Sequence, residues 1–473
     1  MTREEINFSP VTRLSGLLSV DVIMDNLQVV EADVKGNMFR GYEEIMGGRQ
    51  VRDAVYMTQR VCGICSLAHG AAGSYLLDEL YGNEISETAQ YLRNIMYGAD
   101  FLQNHIRHFY LFSLPDFVDL PNEPPFQDQN LTDARLNPEE NQRLIEHYYD
   151  AIEASQESHQ ILALFGGKAP EQHSFLDGGV AVAPTVDKIN QARALVDDIY
   201  EFVTGAMLPD TQLIADVYND YFDIGVTPKR LLSFGLFRFG PRNEELLWKG
   251  GILEDNSLTP PELDLIEETV INSWFEDEDG DGEVEPNPYK PYAYSWIKTV
   301  QYGGEFFETG PLARMLINGF YEGGTSTMDR ILARTIETVK IVALMKKWLE
   351  RLNLQSEAPI NQNQTPVKSE ADGITGAMRG GLLHSASIQD EEVVEYDIIT
   401  PTVWNFAPKD RFGSRGPVEN AIVGTEIPRE DEIYTVLGRI IRSFDPCISC
   451  GTHVLDSQGN LQGKKIFGLQ MGD

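Results

Sequence analysis

The chain has 473 residues, 42% of them apolar and 23% charged, an ordinary composition for a soluble globular protein with a large core. Its 38 basic and 73 acidic side chains leave a net charge of −35, which argues against nucleic acid and anionic membrane as partners and reads most simply as a well-solvated acidic surface. No apolar run approaches the roughly 18 residues of a membrane span, and Met1-Thr-Arg-Glu-Glu-Ile6 lacks the apolar stretch of a secretory signal.

In chain order, Leu17 to Val34 alternates around Asp25-Asn26 and predicts an N-terminal β-hairpin. Arg49 to Gln59 predicts a short helix, and Ser66 to Leu80 a second one. Ser86 to Phe112 is a long helical stretch, with Leu92, Ile95, Ala99, Leu102, Ile106 and Phe109 at three- and four-residue steps. Pro115 ends it and leaves Asp116 at its terminus. A Pro/Asn/Asp-rich connection, Pro121 to Pro138, leads to helical stretches over Asn137 to Leu164 and Thr185 to Tyr218, with glycine pairs between them.

Residues 219 to 310 mix short strands, aromatics and the acidic run Glu276 to Glu283. That run imitates a calcium loop through Asp277, Asp279, Asp281 and Gly282. Its twelfth position is Pro288 rather than glutamate, so a solvated acidic loop is the better reading. Thr327 to Leu352 is another amphipathic helix. Gln355 to Pro366 is a polar internal linker, Ile388 to Thr402 alternates like strands, and Asp431 to Phe444 is a final helix. The expected fold is mainly α with small β elements (α+β), built on a central bundle of long helices.

All four cysteines lie in two Cys-x-x-Cys pairs, Cys62/Cys65 and Cys447/Cys450, each followed by a histidine, His69 or His453. One such pair is a weak signal, but two that use every thiol indicate a thiolate-rich metal site. Four thiolates suit zinc, iron–sulfur, nickel or copper(I). A local zinc ribbon spaces its pairs about 15–20 residues apart, whereas here nearly the whole chain intervenes. A catalytic centre, a long-range structural zinc site and two unrelated pairs all remain open on spacing alone.

Arg60-Val-Cys62-Gly-Ile-Cys65-Ser-Leu-Ala-His69 and Asp445-Pro-Cys447-Ile-Ser-Cys450-Gly-Thr-His453 resemble the large subunit of nickel–iron hydrogenases. The resemblance runs from about Ser9 to Asp473 and takes in Phe39-Arg-Gly-Tyr-Glu43, His108-Phe-Tyr, Gly310-Pro-Leu-Ala-Arg314, Arg379-Gly-Gly-Leu-Leu-His384 and Pro401-Thr-Val-Trp-Asn405. It implies nickel on Cys62 and Cys447, with Cys65 and Cys450 bridging to an iron that carries CO and CN ligands.

The resemblance also implies a set of supporting residues. Arg379 would place a cation over the open metal position, steadied by Asp116 and Asp445. Pro401, Thr402 and His69 would bind the cofactor, with Thr402 bonding a cyanide and His69 orienting a bridging thiolate. Glu43 and His453 would hold magnesium, and His384 would be structural. On the residues alone, His69 reads as a satisfied core histidine, Thr402 as a polar strand residue, Arg379 as half of a surface ion pair and Asp445 as a turn residue.

The implied activity is H2 ⇌ 2H+ + 2e−, in the direction of uptake, with electrons passing to an iron–sulfur small subunit, since no cysteine is left for a cluster. Two departures stand out. The family's usual Arg-x-Glu-Gly-His reads Arg13-Leu14-Ser15-Gly16-Leu17 here, so a hydroxyl replaces the proton-receiving carboxylate. This keeps a low-turnover hydrogen sensor in view as the alternative. Val454 to Asp473 extends beyond the point where the family's precursor is cut, so a 1–453 domain and a tail removed by a maturation endopeptidase after nickel insertion are expected. The compartment stays open between the cytoplasm, the membrane periphery and export on a twin-arginine signal of the small subunit. A quinone-site subunit of complex I would lack these thiols, and a structural zinc protein would hold zinc alone.

Overall fold

Local sequence signals start most of the long helices. α1 (Ser66–Tyr81) ends on Gly82, whose φ of 62° is one that glycine adopts without strain. Ser86 caps α2 (Glu87–Arg107) by accepting from the Ala89 N–H, and Asn137 with Glu140 forms a reciprocal capping box on α3 (Pro138–Gly166). α4 (Val186–Phe202) passes through a π-helical turn, Val203–Met207, into α5 (Leu208–Val217). α6 (Thr327–Arg351) starts on a second capping box, Ser326 with Asp329, and α7 (Ile433–Ser443) closes the sequence of long elements.

The computed structural model describes residues 3–121, 131–276, 284–352 and 360–449. Residues 277–283 of the acidic run, part of the polar linker, Cys450, His453 and the tail lie outside the described residues. Helix exceeds strand by 44% to 23%, in keeping with the expected α+β class.

α2 is the axis of the bundle. It packs on α3 and α6, α3 packs on α4, and α4 returns to α6. Nearly every α2 residue is buried, so its apolar steps serve several neighbours at once. Instead of ending at Arg107, the helix runs into a π-helical turn, His108–Ser113, and a tight turn at Leu114–Asp116.

The N-terminal hairpin is larger than expected. β2 (Leu18–Asp25) and β3 (Gln28–Gly36) pair across a two-residue turn in which Asn26 and Leu27 both have positive φ, and β1 (Arg3–Val11) adds a third strand on β2. Near the other end, β4 (Glu370–Ala377), β5 (Gly380–Gln389) and β6 (Glu392–Ile399) form an antiparallel sheet in that order. The strand expected to reach Thr402 stops at Ile399. Pro401 has its φ preset and no N–H to lose, so it opens a short helix, Pro401–Asn405, and Thr402 is helical.

The polar stretch after residue 359 is stitched to the body of the protein. The Asn361 N–H donates to Gly178 O at 2.9 Å, and Asn363 Nδ2 donates to Tyr81 O at 3.0 Å. No helix among the described residues is long and apolar enough to cross a membrane.

β4 lies against the small-residue face of α1, so a Cβ at Gly373 would sit 1.9 Å from Ala72 O. Gly373→Ala must push the sheet off the helix, at a cost of about 1–3 kcal/mol. The expected result is a lower urea midpoint with an unchanged slope, and an unchanged midpoint would show that the contact is not tight.

Candidate metal centre

The two cysteine pairs are presented by different devices. Cys62 follows a 3-10 turn (Thr58–Val61), and Cys65 is the N-cap of α1. The N–H groups of Ile64 and Cys65 donate to Cys62 Sγ at 3.3 and 3.4 Å, an arrangement that favours thiolate over thiol. Cys447 follows α7 by way of Asp445, whose φ of 54° is unusual for a residue with a side chain and turns the backbone sharply. Cys62 and Cys447 Sγ lie 3.3 Å apart, and the sulfurs of Cys62, Cys65 and Cys447 all fall within 4.8 Å of one another, buried.

Segments remote from the cysteines hold the pairs together. The Arg40 guanidinium donates to both Val61 O and Ser449 O, clamping the chain beside each pair. The N-terminal arm crosses the second pair: Ser15 O accepts from the Ile448 N–H at 2.7 Å, and Ser15 Oγ meets Ser449 Oγ at 3.1 Å. Gly16 has φ 94°, and a Cβ there would lie 2.6 Å from Ser449 N, so only glycine lets the arm pass so close.

Arg379 faces the sulfurs. Its Nε donates to Asp445 O at 2.9 Å and pairs with Asp445 Oδ1 at 3.1 Å. Burial opposes its charge, but the Asp445 carboxylate and the thiolates of Cys447, Cys65 and Cys62 hold it firmly protonated. Burial alone would raise the Asp445 carboxyl, yet Arg379, His108, Arg334 and the Asn104 amide hold it well below the usual range.

Asp116 is not beside Arg379. It takes Arg442 in a bidentate pair, at 2.6 Å from Nε and 2.9 Å from Nη2, and also Arg13. The turn after α2 aims it at α7, so it fastens the N-terminal arm to the helix that leads to Cys447. The α2 residue that reaches Asp445 is Asn104, whose Nδ2 donates to Asp445 Oδ2 at 2.8 Å.

His69 lies one helical turn beyond Cys65, and its Nδ1 meets His384 Nε2 at 3.1 Å; His384 Nδ1 in turn meets the Tyr396 hydroxyl at 2.8 Å. Thr402 Oγ1 accepts from the Cys447 N–H at 3.1 Å and so anchors that ligand's backbone. Pro401, Thr402, His69 and Arg379 line one small enclosed space with Cys65 and Cys447. Glu43 is apart from the sulfurs: its carboxylate accepts from the Ile398 N–H at 3.2 Å and pairs with Lys298 at 3.3 Å. Lys298 also pairs with Glu268, and burial together with Glu43 pushes the nearby Asp397 carboxyl up to about 7.

The donor set of Cys62, Cys65 and Cys447 fits a soft metal centre. Buried thiolates supply the metal bonds. Arg379 Nη1 and Nη2 are buried with no hydrogen-bond partner among the described residues, so they are donors available to acceptor ligands on a metal.

Residues 40–123, 124–324 and 320–453 match the family model described as nickel-dependent hydrogenase. The chain belongs to that family. It is the large, catalytic subunit of a nickel–iron hydrogenase, an oxidoreductase with nickel and iron at its active site. It is 31% identical to the periplasmic [NiFeSe] hydrogenase large subunit of Desulfomicrobium baculatum, over 96% of each chain. It is 26% identical to the hydrogenase-2 large chain of Escherichia coli K12, over 97% and 98% of the two. The reduced Ni-Fe-Se hydrogenase of D. vulgaris Hildenborough superposes with a TM-score of 0.90 at 33% identity, covering 96% of this chain and all of that one. Selenium belongs to the names of those proteins; the hydrogenase subunit described here has cysteine at all four thiol positions.

Some supporting residues have no role assigned from the sequence: Arg314 lies in a matched motif without one, and Glu337 lies in no motif. Arg314 binds Glu337 at 2.6 and 2.7 Å and also holds the carbonyls of Ala377 and Met378, fixing the approach to Arg379. Burial would raise the Glu337 carboxyl, but Arg314 and His105 bring it down to about 2. A depressed carboxyl stabilises the fold above its unfolded value near 4.5, and that contribution is lost as pH falls toward 2. Glu337→Gln leaves Arg314 buried and unpaired, so it should destabilise by about 3–5 kcal/mol at neutral pH and flatten acid unfolding over that window. Chemical denaturation at neutral pH checks the first effect, and a series from pH 4.5 down to 2 checks the second.

Proposed function

We propose that Cys62, Cys65, Cys447 and Cys450 hold a nickel–iron centre whose iron carries CO and CN ligands, and that the subunit works in H2 uptake. The observation that carries this reading is the Arg379 guanidinium, buried against three cysteines with two nitrogens unpartnered among the described residues. When bound, the centre supplies the electron-pair acceptor for heterolytic cleavage of H2. Arg379 sets the positive field over the reacting face, and Asp445 with Asn104 fixes its direction. Thr402 steadies Cys447, and the N–H groups of the first pair tune the basicity of Cys62, a thiolate that can take the proton.

Every cysteine of the chain lies in the two pairs, so electrons must leave through a partner, an iron–sulfur small subunit. The relatives' names, which specify a large subunit or large chain, support that pairing. Magnesium beside Glu43 is favoured by the excess of Glu43, Glu268 and Asp397 over Lys298, with His453 as a further ligand. Removal of Val454 to Asp473 by a maturation endopeptidase, after nickel-insertion factors have acted, accords with a family match that ends at residue 453. Ser15 favours a second reading, a hydrogen sensor of low turnover, because its hydroxyl cannot store a proton.

The test is metal analysis with infrared spectroscopy on the purified two-subunit complex. Equal nickel and iron with CO and CN bands, and their loss in Cys447→Ser, are expected; zinc alone in tail-cleaved protein would sink the proposal. Sustained H2 oxidation by the loaded complex favours uptake, and metal-loaded protein without turnover favours the sensor.

A further inference from the structure

In the C-terminal half of α2, four polar residues sit along one face: Asp100, Gln103, Asn104 and Arg107, at i, i+3, i+4 and i+7. Asn104 belongs to the Asp445 contact already described. Gln103 Nε2 donates to Ile64 O at 2.9 Å and to Asp100 Oδ1 at 3.1 Å, which fastens the Asp100 carboxyl beside the turn that joins Cys62 to Cys65. The second oxygen, Asp100 Oδ2, is buried and has no hydrogen-bond partner among the described residues.

Buried carboxylates need a neutralising or hydrogen-bonding partner: Asp116 and Glu337 have a bidentate arginine, whereas Asp210 and Glu419 are held by hydroxyl, histidine or backbone donors. Asp100 has no such arginine among the described residues. Burial raises its affinity for a proton, and the charge of Cys62 raises it further, while Gln103, Arg379 and the half-buried Arg107 act in the opposite sense. The Tyr97 phenol is one turn away on the same helix. His105, Glu337 and Arg314 satisfy one another, and Arg334 is engaged by Ser443 O. The other candidate, Ser15 beside the second cysteine pair, offers only a hydroxyl already engaged with Ser449.

We propose that Asp100 is the carboxylate that receives the proton released at the thiolates, taking it from Cys62 Sγ across water. The S–H bond breaks, the Oδ2–H bond forms, and no electrons move in this step. Arg107, two turns further along, reaches Ser155 Oγ of α3 at 3.3 Å, and Ser155 Oγ touches Gln103 O at 3.4 Å. The α2–α3 seam is therefore the polar way out toward solvent. This assignment rests on the reading of the chain as a turnover enzyme.

The experiment compares wild type, Asp100→Asn and Asp100→Glu in the assembled, metal-loaded complex. With metal content and CO/CN bands unchanged, Asp100→Asn should lose about 10²–10⁴-fold in kcat, gain a larger solvent deuterium effect, and lose one protonated-carboxyl band from the infrared difference spectrum. Asp100→Glu should keep most of kcat with a shifted band and pH profile, and Ser15→Glu should restore turnover to Asp100→Asn. Wild-type turnover and pH profile in loaded Asp100→Asn, or a carboxyl band that survives in it, overturns the proposal. If Asp100→Asn does not take up metal, an unshifted band and profile in Asp100→Glu overturns it instead. Loaded wild type without turnover would defeat the enzyme reading, and the infrared band would still decide the role of Asp100.

Discussion

Three sulfurs within 4.8 Å of one another cannot all be thiolates unless positive charge is brought to them. Two unit charges about 4 Å apart repel by about 4 kcal/mol at an effective dielectric of about 20, and burial makes the repulsion worse. The metals supply most of the compensation when bound, and Arg379 is the part that the chain itself supplies. Its own burial would be unfavourable without Asp445, whose geometry depends on a left-handed backbone at that residue and on Asn104. Arg314 holds the backbone leading to Arg379, and Glu337 neutralises Arg314. The polar interior is a succession of charges, each fixed by the next, and it starts at the sulfurs.

The same constraint explains why the ends of the chain are seamed together. Cys62 and Cys447 come from opposite ends, and a metal bond cannot bring them together until the surrounding backbone is in place. Arg40 spans both pairs, the Ser15-Gly16 arm lies over the second pair, and Arg13 with Asp116 and Arg442 ties that arm to α7. None of these contacts is to a metal ligand's side chain. They define where the ligands are, and they involve arginines because a guanidinium can bond two or three oxygens from separate segments at once.

Much of this was legible in the sequence wherever a local rule operates. The long helices follow from three- and four-residue periodicity and from caps such as Asn137 and Ser326, and the cysteine pairs from their rarity. β1 escaped because Arg3-Glu4-Glu5 hides its alternation, and Thr402 was placed in a strand because nothing local outweighed the run before Pro401. Asp116 was matched to Arg379 by resemblance, and nothing in the local sequence shows that the turns at His108–Ser113 and Leu114–Asp116 bring it to Arg442 and Arg13 instead. Asn104 and Asp100 had a signal, the spacing of polar residues along one face of α2, but attention to the apolar steps of that helix passes over it.

That polar face shows how the site and the bundle share one element. A helix buried on all sides is stabilised by apolar side chains, and each polar group placed on it must find a partner or remain a liability. Gln103 finds Ile64 O, Asn104 finds Asp445, and Arg107 finds Ser155. Because α2 also packs on α3 and α6, these side chains are fixed relative to the sulfurs by the most rigid part of the fold. Asp100 stands apart in being an ionisable acid with one oxygen left open beside the first cysteine pair. Asp116 and Glu337 are neutralised by arginine, and Asp100, a buried carboxyl without such a partner beside the first cysteine pair, is a group placed to exchange a proton.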